Sequence, residues 1–541
     1  VKEIADELLD LMSVEAPLVA TSYGLPGYDH LLADPSAQAE ESLRAKAVDI
    51  ANRARELDTE DWVTRAVVLQ QAESVLDRLA ARGVEYSITD SFFAPAAEVL
   101  SVLPTTLLAN ADQEQAYLSR LAAVPEFLAK LADRHRQGVK AGRTPVTRLV
   151  QATVAYLDRY LAGPDPLALP RGGPKFTAER DRLLTELVQP AFARYRDVLA
   201  TEIAPHGRPT DRAGLCWLPG GEEIYAGLVR SHTTTDRSPQ DLHQTGLDLM
   251  AELAQEYAEI GSRVFGTSSA AEVLHRMRTD PALRWQDATE MLTAARLTVE
   301  RAEAVAPQWF GRVPDVPCVV EPVPDSQAPG APLAYYTPAA MDGSRPGTYS
   351  ANTHRPQERY RYQSEALAFH EAVPGHHFQI SLAQGLTDLP MLRRIAQVNA
   401  YLEGWGLYCE RLADEMGLYS DDVSRLGMLA LDSMRAGRLV VDTGLHAHGW
   451  SRAQAVAYLQ ENTPLAQVEI ESEVDRYIGT PGQALAYMVG RLEIQRIRAE
   501  AERTLADRFD IREFHDLVLG GGPLPLAVLA TVVSKWITTH P

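Results

Sequence analysis

The sequence predicts a mainly α fold, large and two-lobed, with a small β-hairpin or sheet beside an active-site cleft. Three observations carry that expectation. Apolar residues recur at helical spacing along most of the 541 residues, one proline- and glycine-rich stretch breaks the pattern, and no fixed repeat period appears. The length allows two to four domains. The break divides the chain into an N-terminal helical lobe, 1–312, and a second lobe, 313–541, that holds the β region, the two expected to form one compact unit.

The helices are read in order. Stripes cover 1–20 and 35–58, and from Trp62 the positions Ala66, Leu69, Leu76 and Ala80 share one face. Further helical patterns cover 111–136, 145–162, 176–203, 284–305 and 500–518. Ser238-Pro239-Gln240-Asp241 opens another with a cap residue, a first-turn proline and an acid at the positive end. Its stripe runs Leu249, Leu253, Tyr257, Ile260, Val264. Between Val313 and His354, β-prone runs at Cys318–Val320, Leu333–Tyr336 and Thr348–Ser350 are separated by turn glycines. An edge strand there would be able to pair with an extended peptide.

Composition narrows the function. The formal charge of −21 leaves no basic footprint for nucleic acid and disfavours anionic membranes. The most apolar run, Leu526 to Val533, is too short to span a bilayer. Three cysteines without CxxC spacing exclude a disulfide framework and a thiolate zinc site, and with no signal-peptide layout they point to the cytoplasm as the default.

The chemistry concentrates in His370-Glu371-Ala372-Val373-Pro374-Gly375-His376-His377. Neutral imidazoles beside a carboxylate suit zinc and a base for its water. In an unbroken helix His370 and His377 would be about 10.5 Å apart along the axis, too far for one metal. Pro374 cannot donate to the carbonyl of His370, and Gly375 permits a bulge. Extruding two residues brings His376 under His370; extruding three brings His377. His376 is the preferred ligand and His377 the alternate. The following helix restarts near Thr387, Asp388 and Pro390 and buries Ile395, Val398, Leu402, Trp405, Cys409 and Leu412. Glu403, at the edge of that stripe, is the expected third ligand, with Glu410 as alternate, because a carboxylate pressed against a buried face wants a cation or a donor.

Several segments resemble a known family. Asp342-Gly343-Ser344-Arg345-Pro346-Gly347-Thr348-Tyr349, HEAVPGHHFQ at 370–379, EGWGLYCE at 403–410, RLVVDTGLHAHGW at 438–450 and PGQALAYMVG at 481–490 are similar to those of the bacterial domain-of-unknown-function 885 family. Leu218-Pro219-Gly220-Gly221-Glu222-Glu223, with Tyr225 and His232, is similar too. The resemblance implies the helical fold of Taq-type zinc metallocarboxypeptidases, within the gluzincin peptidases. Carried over, His370 and His376 or His377 become ligands, Glu403 the third ligand and Glu371 the base. The Val373-Pro374 stretch is a departure from those peptidases.

The expected activity is therefore a zinc-dependent, carboxypeptidase-like peptidase acting on a peptide or small amide. The competing expectations are an inactive peptide-binding scaffold and a zinc hydrolase of a non-peptide amide or ester. Tyr487, and after it Tyr477, are candidate donors to the oxyanion, since a C-terminal tyrosine has that role in the related peptidases. Asp442 and His446, four apart on a helix, are expected to contact each other, a metal ligand or substrate. Arg345, beside the edge strand, is a candidate for a substrate carboxylate.

Overall fold

The structure, a computed structural model, describes all residues except 92, 325–327, 329, 330, 342, 344, 540 and 541. Asp342 and Ser344 of the glycine-rich motif therefore lie outside the described residues. Helices dominate, and a three-stranded sheet interrupts them.

The sequence-predicted helices form where their caps begin them. The Ser238 side chain accepts from the Asp241 amide at 3.1 Å and opens a 26-residue helix, Pro239–Val264. Asp61 likewise caps Trp62–Ala81. Two expectations fail at breaks. The helix expected over 500–518 is two, Ala486–Leu505 and Ile511–Leu519. Ala506 turns the chain at φ 49°, and the Asp510 carboxylate starts the second helix by accepting from the Arg512 amide. The stripe expected to run from Thr387 is also divided, into Met391–Ile395 and Asn399–Glu415, by an extended turn at Ala396.

The sheet comprises β1 (Cys318–Pro322), β2 (Ala334–Thr337) and β3 (Gly347–Ala351), in the order β1-β3-β2. β1 runs parallel to β3, with Val320 opposite Tyr349, and β2 runs antiparallel to it, with Tyr336 opposite Tyr349. β2 is thus an edge, and it lies against the helix Gln363–Glu371.

Two apolar cores join the notional lobes. One gathers Val67 and Phe310 with Phe369, Trp405 and Leu529, and the other gathers Tyr86 and Tyr257 with Leu429 and Met488. A third core, from Leu18 to Ile203, belongs to the N-terminal part alone. Through the middle runs Asp422–His446, a 25-residue helix started by Asp421 and packed along Pro239–Val264. Asn399–Glu415 crosses Ala486–Leu505 at a glycine pair, since a Cβ on Gly404 would stand 2.5 Å from the backbone of Gly490. That close crossing sets Glu403 beside Tyr487. Among the described residues no helix is long and apolar enough to cross a membrane.

Candidate metal centre

The histidine motif breaks where Pro374 and Gly375 were expected to break it. The helix Gln363–Glu371 stops, residues 372–375 loop out, and a new helix, His376–Gln384, begins at His376. The Val373–Pro374 peptide is cis. The His377 amide reaches back five residues to the Ala372 carbonyl at 3.2 Å, one residue wider than an α-helical turn. The looped segment is tied to the neighbouring helix, where Trp405 Nε1 donates to the Pro374 carbonyl at 3.0 Å and the Cys409 thiol does so at 3.4 Å. Gly375 is required by proximity, because a Cβ there would lie 1.8 Å from the His370 carbonyl oxygen.

The bulge extrudes two residues' worth of chain, and His376 comes under His370. Their rings stand perpendicular, centroids 4.8 Å apart. Glu403 completes the group: its Oε2 is 3.4 Å from His370 Nε2 and 3.5 Å from His376 Nε2. All three donor atoms fall within 4.8 Å of one another. Donors about 2.1 Å from one tetrahedrally held cation lie about 3.4 Å apart, so these separations fit such a cation. Gly406 makes room for the ring, since a Cβ there would be 2.7 Å from His370 Nε2.

Glu410 takes a different place from the one expected of an alternate ligand. It sits behind His370, its Oε1 2.8 Å from Nδ1, with both side chains almost fully buried. Such a carboxylate fixes the tautomer that presents Nε2 to the centre and makes that nitrogen more basic. Burial opposes a charge on His370, but Glu403 and Glu410 outweigh it and lift the imidazole to about 9. Burial would raise Glu403, yet His370 and His376 hold its carboxyl well below the usual range. Imidazole and carboxylate thus each favour the charged form of the other.

His377, the alternate second ligand, turns away. Its Nε2–H donates to the Val316 carbonyl at 2.9 Å, so Nδ1 accepts from the Tyr336 hydroxyl, also at 2.9 Å. Burial brings this imidazole down to about 4, and it stays neutral. Glu371 ends its helix next to His370, and its Oε2 accepts from the Tyr336 amide of edge strand β2 at 3.1 Å.

The two tyrosines part company. Tyr487, in the first turn of Ala486–Leu505, faces the His370 ring at 6.4 Å, and its hydroxyl is pushed up by burial and by the Glu403 charge. Tyr477 does not serve as expected. Its hydroxyl donates to Glu473 at 2.5 Å and accepts from Arg438 Nε at 3.1 Å, so its proton is committed inside the core. Asp442 and His446 also depart from expectation, since neither binds the other or a member of the cluster. Asp442 accepts from the Tyr225 hydroxyl at 2.6 Å and the Gly482 amide at 3.1 Å. His446 Nδ1 accepts from the Leu215 amide, and its Nε2–H donates to the Tyr477 carbonyl. Arg345 is half-buried beside the sheet, and its carbonyl closes a turn with the Ala340 amide.

The family model described as "Bacterial protein of unknown function (DUF885)" matches residues 17–533. The chain belongs to the DUF885 family. No curated protein matches it. Among solved structures, it is similar to a "putative lipoprotein" from Colwellia psychrerythraea, with a TM-score of 0.91 and 27% identity over 99% of each chain. A "putative lipoprotein of unknown function" from Shewanella oneidensis shares the fold at a TM-score of 0.75, with 16% identity over 98% of this chain and 99% of that one.

Sequence reasoning missed Arg435 and Arg438 beside Tyr487, which are taken up below. Their signal was available: Arg435 and Arg438 recur at helical spacing, and from Ala436 to Val441 every residue but Arg438 is apolar or small.

Proposed function

We propose that this DUF885 protein is a zinc-dependent peptidase of carboxypeptidase-like kind, with His370, His376 and Glu403 holding the metal. The metallocarboxypeptidase likeness of its fold is part of the same proposal. One observation carries it: two imidazole Nε2 atoms meet one carboxylate oxygen at 3.4 and 3.5 Å, with Glu410 fixing the rear nitrogen of His370. When bound, zinc would supply Lewis-acid charge and lower the pKa of water.

The remaining chemistry belongs to the chain. Glu371 is the base that takes the proton of the attacking water and delivers it to the leaving nitrogen. The Tyr336 amide pins Glu371 Oε2, which leaves Oε1 for that transfer. Tyr487 donates from its hydroxyl to the carbonyl oxygen as charge develops there. The edge of β2, its Tyr336 amide held by Glu371, offers its remaining backbone groups to an extended substrate running past Glu371. The substrate is a peptide or small amide.

Peptide hydrolysis followed beside zinc content tests this reading. Glu371→Gln is expected to lose about 10²–10⁴-fold in turnover while retaining its metal. Wild-type protein that holds zinc yet cleaves no member of a peptide library would favour the inactive peptide-binding scaffold instead. For location, the cytoplasmic reading has a rival supported by the descriptions of both similar structures as lipoproteins. Labelling of the full-length protein with a radioactive fatty acid in cells separates the two.

A further inference from the structure

We propose that the centre adjoins an anion subsite, formed by Arg435, Arg438 and Arg476, that receives a carboxylate of the substrate. This rests on the peptidase reading and names its substrate class: peptides bearing a carboxylate, the free C-terminus first of all.

Arg435 and Arg438 lie one turn apart on Asp422–His446, 6% and 4% exposed. Their guanidinium carbons stand 5.6 and 4.6 Å from the centroid of the Tyr487 ring, the ring that faces His370. Arg476 comes from the helix Gln467–Gly479 and contributes its charge to the same tyrosine. Three cations thus gather one ring away from the metal ligands.

Their pairing is incomplete. Glu473 accepts from Arg438 Nη2 at 2.8 Å and from Arg476 Nη2 at 3.2 Å. Arg438 Nη1, Arg476 Nε, and Arg435 Nε and Nη1 are buried and have no hydrogen-bond partner. Among the described residues Arg435 makes no hydrogen bond and no ion pair. Its neighbouring acid, Asp432, is already engaged on Oδ1 by Arg491 and on Oδ2 by Arg411. Arg438 and Arg476 thus share the Glu473 carboxylate and Arg435 has none to itself, which leaves buried N–H donors unused beside the Tyr487 ring. Stacking on Tyr487 accounts for the position of the arginines but leaves these N–H groups unsatisfied. Stability alone does not favour a buried unpaired cation, whereas planar guanidinium donors match a carboxylate in shape and charge. Set beside Tyr487, such a subsite would hold the carboxylate end of a peptide while a bond near it is cut.

Calorimetric titration of the full chain, stripped of metal so that no ligand is consumed, tests the subsite. The probes are acetyl-Ala-Ala-Ala with a free carboxylate, the same peptide as its amide, and acetyl-Ala-Ala-Asp amide. At least one carboxylate peptide is expected to bind tenfold or more tightly than the neutral amide. The free acid doing so alone assigns the subsite to the chain terminus. Arg435→Met should bring acid and amide within twofold while zinc uptake and the thermal midpoint stay unchanged. Equal binding of all three probes by the wild type, or no binding of any, overturns the proposal, as does a preference that survives in well-folded Arg435→Met. Should that variant fail to fold, the wild-type comparison decides by itself. A chain that takes up no zinc yet prefers the acid would end the metal reading and leave the subsite standing; a zinc-loaded chain indifferent to the carboxylate would do the reverse.

Discussion

Two regions of this molecule carry both histidine and carboxylate, and they are built to opposite ends. Around Asp442 and His446 every polar atom meets a fixed partner: a tyrosine hydroxyl, two backbone amides and a carbonyl. Around His370, His376 and Glu403 the polar atoms converge on one another across 3.4–3.5 Å. The first arrangement locks helices together. The second leaves donors aimed at a common point, with Glu410 anchoring from behind. The difference teaches that residue type and spacing nominate a site, while the partner of each nitrogen decides what it does. His376 and His377 repeat the lesson within a single step of the chain.

The comparison can be broken most forcefully by exchange of its histidines. His370→Ala is expected to cut bound zinc from near one per chain to below about a tenth, by removing one of three ligands. His446→Ala should keep its zinc but lose about 3–5 kcal/mol of stability, since two buried backbone groups lose partners and a cavity opens. Metal analysis beside denaturant unfolding checks both. Zinc lost in His446→Ala at unchanged fold would erase the distinction.

A subtler cut addresses the anchor. Glu410→Gln keeps the shape but weakens the charge behind His370, and zinc affinity should fall about 10–100-fold. Competition with a chromogenic chelator measures it. An unchanged affinity would reduce Glu410 to packing.

Protons sharpen the contrast in the locked region. Burial brings His446 down to about 4, below the ordinary 6.5. The unfolded chain therefore binds that proton first as pH falls, and His446 contributes stability above about 6.5 that is lost progressively toward pH 4. The loss reaches about 3 kcal/mol at full extent. Unfolding across that range, in wild type and in His446→Gln, should show a shallower acid slope in the variant. Identical slopes would mean that His446 is not held neutral.

Much of this was legible in the chain. The helix start at Ser238 was readable from its cap, the capped start at Asp510 was not, and Pro374-Gly375 announced a break before it was seen. The place of Glu403 beside His370 and His376 was legible because it borders an apolar stripe. What was hidden depended on tertiary partners. Nothing local tells that Glu410 points at Nδ1 rather than into the centre, or that the Tyr477 proton belongs to Glu473. The breaks at Ala396 and Ala506 lacked glycine or proline at the turn itself, so periodicity read through them. The parallel pairing of β1 with β3 places non-adjacent strands together, which strand propensity does not encode.

The most direct test of the central claim is X-ray absorption at the zinc edge of the purified full chain, with Glu403→Ala beside it. Wild-type protein should show about one zinc per chain in a shell of nitrogen and oxygen near 2.0–2.1 Å, with the outer scattering of two imidazoles, and Glu403→Ala should lose most of the metal. A chain that holds no zinc after equilibration, or whose zinc shows no imidazole scattering, would contradict the account.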